Sequence, residues 1–140
     1  MKKLAVLLFL TPLFAADPQG INIWKAQELK AFTKSAMLGD FGNHNARMTS
    51  RDKDGEAEVH QNWTDVIVVE SGEALLMLGG TLVDPQTRGP GEIRGTSAAG
   101  ADKRPIAAGD ILHIPAGVPH QFLVAPGKKV MYFVLKVPAK

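Results

Sequence analysis

Four histidines, His44, His60, His113 and His120, and the carboxylates near two of them carry most of the chemistry this sequence can offer. In Glu56-Ala57-Glu58-Val59-His60, strand geometry sends Glu56, Glu58 and His60 to one face and Ala57 and Val59 to the other. Two carboxylates and an imidazole on a buried face need pairing or a cation. On an outer face they form an ordinary solvated edge, and the pattern alone leaves both readings open. Asp65 opens the next apolar run in phase with Ile67 and Val69, which places it on the core-facing side. His113 lies among apolar strand residues and reads as a structural or pocket histidine. His44, between two Asn, reads as solvated. Glu92 and Arg94 are two apart and share a strand face, either as a surface pair or within reach of a substrate. Phe122 and Tyr132 serve equally well as pocket wall or as core.

The stretch from Gly109 to His120 reads G-x5-P-x-G-x2-H. Physically this is a strand, a tight turn built on Pro115 and Gly117, and a returning strand that opens with an imidazole. It resembles the second sequence motif of the cupin superfamily, over about 109–124, with Val124 where that motif usually has Asn. The first cupin motif is matched in part over about 58–72. Six residues separate Asp65 from Gly72, and four separate His60 from Asp65, as the motif's second His, its carboxylate and its Gly require. Glu58 then stands at the first His position, and Asp52 at the leading Gly. Reading His60-x-Asn62 as the His pair puts Asp65 one or two residues too early, so the first register is favoured.

The resemblance implies an all-β, single-domain cupin of jelly-roll type, a β-barrel with a short N-terminal α-helix. It implies Glu58, His60, Asp65 and His120 as ligands of one divalent transition metal. Imidazole and carboxylate donors without thiolate suit Mn, Fe or Zn. It further implies a small polar molecule as ligand or substrate. Oxygenase, isomerase, decarboxylase and lyase chemistries are all compatible, with the ion as Lewis acid or O2 site. The alternative is a non-catalytic barrel that holds a small ligand or a metal. Cupins often pair through terminal strands, which leaves a homodimer open.

The elements that must position these residues follow from periodicity. Between Asn22 and Met37, apolar residues at Trp24, Ala26, Leu29, Phe32 and Ala36 recur at roughly helical spacing, and Asn22 suits an N-cap. One amphipathic helix is expected there, its apolar stripe covering another element. Ala46, Met48 and Ser50 then alternate with polar partners, and Asp52-Lys53-Asp54-Gly55 reads as a turn. Strands are expected at Glu56–Gln61, at Asp65–Glu70, after a Ser71-Gly72 turn at Ala74–Leu78, and at Ile111–Ile114, Gln121–Val124 and Lys129–Val137. Residues 79–109 hold seven glycines together with Pro85, Pro90 and Pro105. They read as a long, exposed and mobile looped excursion with one short strand at Glu92–Arg94.

Length and composition bound the function classes. The chain has 140 residues, 45% apolar and 21% charged, which suits one domain with a real core. Its start, MKKLAVLLFLTPLFAA, has two lysines, an apolar run from Leu4 to Phe14 and small residues at Ala15 and Ala16, the form of a cleaved signal peptide over 1–16. Export to the periplasm or the medium is therefore expected. The run is about half the ~20 residues a spanning helix needs, so no stable membrane anchor is expected. The absence of cysteine excludes a lipid-anchored cysteine and disulfides. Removing Lys2 and Lys3 from the 16 Lys+Arg leaves as many cations as the 14 Asp+Glu, a neutral mature chain over 17–140. A nucleic-acid partner thereby loses its electrostatic basis.

Overall fold

The structure is a computed structural model, described here over residues 20–140. The expected leader, 1–16, lies outside the described residues. A short helix α1 (Ala26–Lys30) precedes twelve strands: β1 (Ala36–Asp40), β2 (Asn45–Arg51), β3 (Ala57–His60), β4 (Trp63–Leu78), β5 (Thr81–Val83), β6 (Gln86–Gly89), β7 (Glu92–Gly95), β8 (Ser97–Ala99), β9 (Asp102–Ala107), β10 (Ile111–Ile114), β11 (His120–Leu123) and β12 (Val130–Pro138). Ten of them form one antiparallel sheet with the path β1-β2-β12-β4-β11-β3-β7-β6, and β9 and β10 add to β4. The chain therefore has the expected all-β, curled barrel-type architecture.

Strand β4 organises the curl. Its first half pairs with β12 and β10, and its second half with β11 and β9. The expected Ser71-Gly72 turn is instead a bulge within this one strand. Met131 pairs with Ser71 and Tyr132 with Val69, so Glu70 is an extra residue. That insertion flips the inward parity. Asp65, Ile67 and Val69 face inward before it, and Ala74, Leu76 and Leu78 pack on the core after it. Gly72 adopts φ +78°, and a Cβ there would lie 1.9 Å from the Lys129 carbonyl oxygen. Only glycine fits, which accounts physically for the Asp65-x6-Gly72 spacing.

The main core lies inside the curl, with Ile67, Val69, Leu76, Ile106, Ile114, Phe122, Val124, Val130, Tyr132 and Val134 all buried. Full burial of each large apolar side chain contributes on the order of 1.5–3 kcal/mol. A second cluster covers the outside of β2, where Trp24, Leu29 and Phe32 pack on Leu38, Ala46 and Met48. The apolar stripe near the N-terminus does cover another element, but the helix is only five residues long. Ala36 and Met37, expected to be helical, pair with Met48 and Arg47 in β1–β2. Burial of Leu38 in that pairing outweighs a weak local helix preference. The cap position is Lys25 rather than Asn22.

Two further expectations are corrected. Residues 79–109 are not a looped excursion: β5–β8 and β6–β7 are paired ribbons, β7 joins β3, and β9 joins β4. Gly80, Gly91 and Gly100 take positive φ between these short strands, so the glycines mark turns rather than slack. His113 is exposed, because Leu112 and Ile114 take the inward phase of β10. It is neither a core nor a pocket residue. His44 is half-buried, stacked on Phe41 with ring centroids 4.8 Å apart.

Candidate metal centre

The local structure brings the two motif segments together through main-chain bonds. Ala116 and Gly117 form the turn after β10, where Gly117 has φ +80° and the Val118 N–H reaches the Pro115 carbonyl at 3.3 Å. The Gly117 N–H donates to the His60 carbonyl at 2.9 Å, fixing the end of β3 against this turn. His120 opens β11 directly beside Glu58 of β3, its cross-strand partner. Asp65 comes from the other half of the curl, where it pairs with Ile114 of β10 and Lys136 of β12. Asp65 therefore faces the group from the opposite wall, and His120 is a neighbour of Glu58 on the same wall.

All four side chains are buried. One ligand atom each from Glu58, His60 and His120 falls within a 4.8 Å group. Asp65 stands against both imidazoles, with Oδ2 at 3.5 Å from His60 Nε2 and 3.8 Å from His120 Nε2. Glu58 Oε1 lies 3.6 Å from His120 Nε2. Donors about 2.1 Å from one ion would sit about 3.0–3.4 Å apart, so the observed spacings are near those of a ligand set.

The hydrogen bonds assign the imidazole tautomers. His120 Nδ1 is 3.1 Å from the Val118 carbonyl oxygen, which can only accept, so Nδ1 carries the proton. In the neutral imidazole Nε2 is then a lone pair, buried and without a hydrogen-bond partner, among Glu58 and Asp65. His60 Nδ1 contacts Glu92 Oε2 at 2.5 Å, which turns its Nε2 towards Asp65. The two imidazoles and a Glu58 oxygen thus converge in an arrangement that fits a cation, while Asp65, expected as a fourth ligand, flanks the imidazoles and lies outside that group. The His60–Glu92 contact is the carboxylate–imidazole pairing that orients metal-bound histidines.

Protein cations surround this group. Arg94 donates to Glu92 Oε1 through Nε (2.9 Å) and Nη2 (2.8 Å), and Nη2 lies 3.0 Å from Glu58 Oε2. Lys136 Nζ holds Asp65 Oδ1 at 2.7 Å. Arg51 Nε donates to the Tyr132 hydroxyl at 2.8 Å, and its guanidinium lies 3.8 Å from Glu58 Oε1. Burial pushes the Glu58 carboxyl up, but the His120, His60 and Arg94 groups beside it outweigh burial and hold it at about 2. Burial pushes the Tyr132 phenol up to about 12 against the opposing pull of Arg51. Tyr132 and Phe122 stack with centroids 4.6 Å apart and are both core and pocket wall.

The resulting cavity, about 440 Å³, holds Glu58, His60, Asp65, Glu92, Arg94, Arg47, Arg51 and Lys136 in its walls. Sequence reasoning noted the shared face of Glu92 and Arg94 but not their contacts with His60 and Glu58. It missed Arg47, Arg51 and Lys136. The only trace of the arginines was the alternation Arg47-x-Thr49-x-Arg51. A larger depression of about 710 Å³ lies elsewhere, by Leu75, Ile106 and Pro126. Its acids are already engaged, Asp54 on the Val124 N–H, Asp110 on the Ala107 N–H and Glu73 on Lys128.

No sequence-family profile and no curated protein matches the chain. Solved structures do. A cupin-like protein from Thermotoga maritima superposes with a TM-score of 0.51, at 16% identity, covering 74% of this chain and 66% of that one. The fold is therefore cupin-like. A protein from Bacillus halodurans aligns over 90% of this chain and 88% of its own length, with a TM-score of 0.64 and 14% identity. The DMSP lyase DddQ from Ruegeria pomeroyi aligns with a TM-score of 0.52 and 17% identity, over 74% of this chain and 45% of the lyase. The chain thus spans less than half of the lyase. At these identities the likeness concerns the fold.

Proposed function

We propose that this protein is an exported, metal-binding cupin that acts on a small polar molecule. One divalent transition ion, Mn, Fe or Zn, would be held by Glu58, His60, Asp65 and His120. The observation that carries this reading is His120 Nε2, a buried lone pair without a partner, aimed between two carboxylates. Such an atom costs about 1–3 kcal/mol if left unsatisfied, and a bound ion removes that cost. When bound, the ion would supply Lewis acidity or an O2 site. The chain's own residues then have separate tasks. Glu92 and the Val118 carbonyl set the imidazole tautomers, Arg94 and Lys136 hold the second oxygens of Glu58 and Asp65, and Phe122 with Tyr132 closes the cavity floor. A lyase of this fold, the Ruegeria DMSP lyase, supports small-molecule chemistry as the class.

A second reading has its own observation. Arg94 and Lys136 already pair Glu58 and Asp65, so a metal-free barrel that only captures a small ligand is electrostatically viable. Reconstitution separates the two. Purified protein is incubated with Mn(II), Fe(II) or Zn(II), desalted and assayed for retained metal. One ion per chain supports the metal reading, and no retention of any of them favours the capture barrel. Export is tested by N-terminal sequencing of protein recovered outside the cytoplasm, with a start near Ala16 or Asp17 expected. A start at Met1 contradicts it.

A further inference from the structure

The metal reading leaves one part of the cavity without a task. Arg47, Thr49 and Arg51 form the inward face of β2, opposite the face that carries Ala46 and Met48. Four cations, Arg47, Arg51, Arg94 and Lys136, share the cavity with three carboxylates, Glu58, Asp65 and Glu92. Two cations are engaged, Lys136 on Asp65 and Arg94 on Glu92 and Glu58. Arg51 has a phenol hydroxyl at 2.8 Å and one carboxylate oxygen at 3.8 Å, close to the limit of an ion pair. Arg47 has no hydrogen bond or ion pair among the described residues, and its Nε is fully enclosed and unpartnered. The lining groups alone thus carry one more positive than negative charge, with Glu56 pairing Arg94 from outside the walls, and a divalent ion would add two more positive charges. A partly desolvated guanidinium without an anion is costly, and its planar fork fits a carboxylate with two parallel bonds.

We infer that Arg47 and Arg51 form an acid-binding arm, and that the cavity takes a small organic acid with two carboxylates. One carboxylate sits at the Glu58–His60–Asp65–His120 cluster beside Arg51, whose guanidinium is within 4 Å of Glu58. The other sits on Arg47, farther along β2, where Val134 is its cross-strand partner. A cavity of about 440 Å³ has room for a small dicarboxylic acid. This inference rests on the metal reading for the first carboxylate only; the Arg47 end stands without it.

Calorimetric titration tests the arm with L-malate, which has two carboxylates, and L-lactate, which has one. Both are titrated into Mn-loaded and metal-free protein, wild type and Arg47→Gln, with Mn content measured on each sample. Malate is expected to bind wild type at least about tenfold more tightly than lactate. Arg47→Gln should erase that preference and leave lactate affinity unchanged, and Arg47→Lys should restore part of it. Equal affinities for the two acids in wild type overturn the inference, and that comparison needs no variant to fold. So does an Arg47→Gln loss shared equally by both acids, or displacement of malate by inorganic phosphate at lower concentration than by malonate. Bound Mn without malate preference overturns the arm alone. Malate preference without Mn retention keeps the arm and overturns the metal reading.

Discussion

Glu92 offers a way to probe the centre without touching a proposed ligand. Its Oε2 contacts His60 Nδ1 at 2.5 Å, and its Oε1 takes both Arg94 donors. If His60 Nε2 binds an ion, Glu92 fixes the ring orientation and raises the basicity of that nitrogen. Loss of such an outer carboxylate typically costs 10–100-fold in metal affinity, about 1.4–2.8 kcal/mol. Glu92→Ala removes both orientation and charge and should fall near the upper end. Glu92→Gln keeps an oxygen that accepts from Nδ1 but loses the charge and the acceptor for the two Arg94 donors, and it should still fall nearer the lower end than Glu92→Ala. Arg94 retains Glu58 and Glu56 in either variant, so the fold should persist. Competition of the protein with a chromophoric chelator for Zn(II) gives the affinities, and a thermal melt confirms folding. An affinity for Glu92→Ala within twofold of wild type would refute the assigned role of the His60–Glu92 contact.

Three further outcomes are expected. Glu58→His gives the usual three-histidine set and should bind metal at least as well as wild type, whereas Glu58→Gln should weaken binding with the fold intact; metal retention after desalting checks both. Gly72→Ala forces a left-handed alanine, about 1–2 kcal/mol, against a carbonyl 1.9 Å from the new Cβ, so melting should fall by about 6 °C or more; an unchanged melt contradicts the bulge. Tyr132 is the single tyrosine, so its tyrosinate absorbance is unambiguous and should appear near pH 12 rather than 10. Because the folded value is the higher one, its stabilising effect is complete below pH 10 and is lost as pH rises towards 12; a midpoint at 10 in folded protein contradicts the burial.

The motif spacing made the four central residues legible because it encodes geometry directly. Period two puts Glu58 and His60 on one face, and the Pro115–Gly117 turn returns His120 beside them. The bulge at Glu70 was hidden, since one extra residue reads locally as a turn even when the strand continues through it. The role of strand β2 was hidden for a different reason. Its apolar residues Ala46 and Met48 cover an outer cluster with Trp24, and its polar residues Arg47 and Arg51 face the interior. Apolar-in and polar-out reverses where a cavity is charged and an N-terminal segment covers the outside. Apart from the short strand expected at Glu92–Arg94, which is present as β7, the strands of 79–109 were masked by glycines that serve positive-φ turns.

The most direct test of the central claim is anomalous diffraction from crystals of Zn-loaded protein, collected on both sides of the metal absorption edge. The account predicts one strong peak per chain about 2.0–2.2 Å from His60 Nε2, His120 Nε2 and carboxylate oxygens of Glu58 and Asp65. A peak bound elsewhere, or loaded crystals with no peak between these four residues, would contradict it.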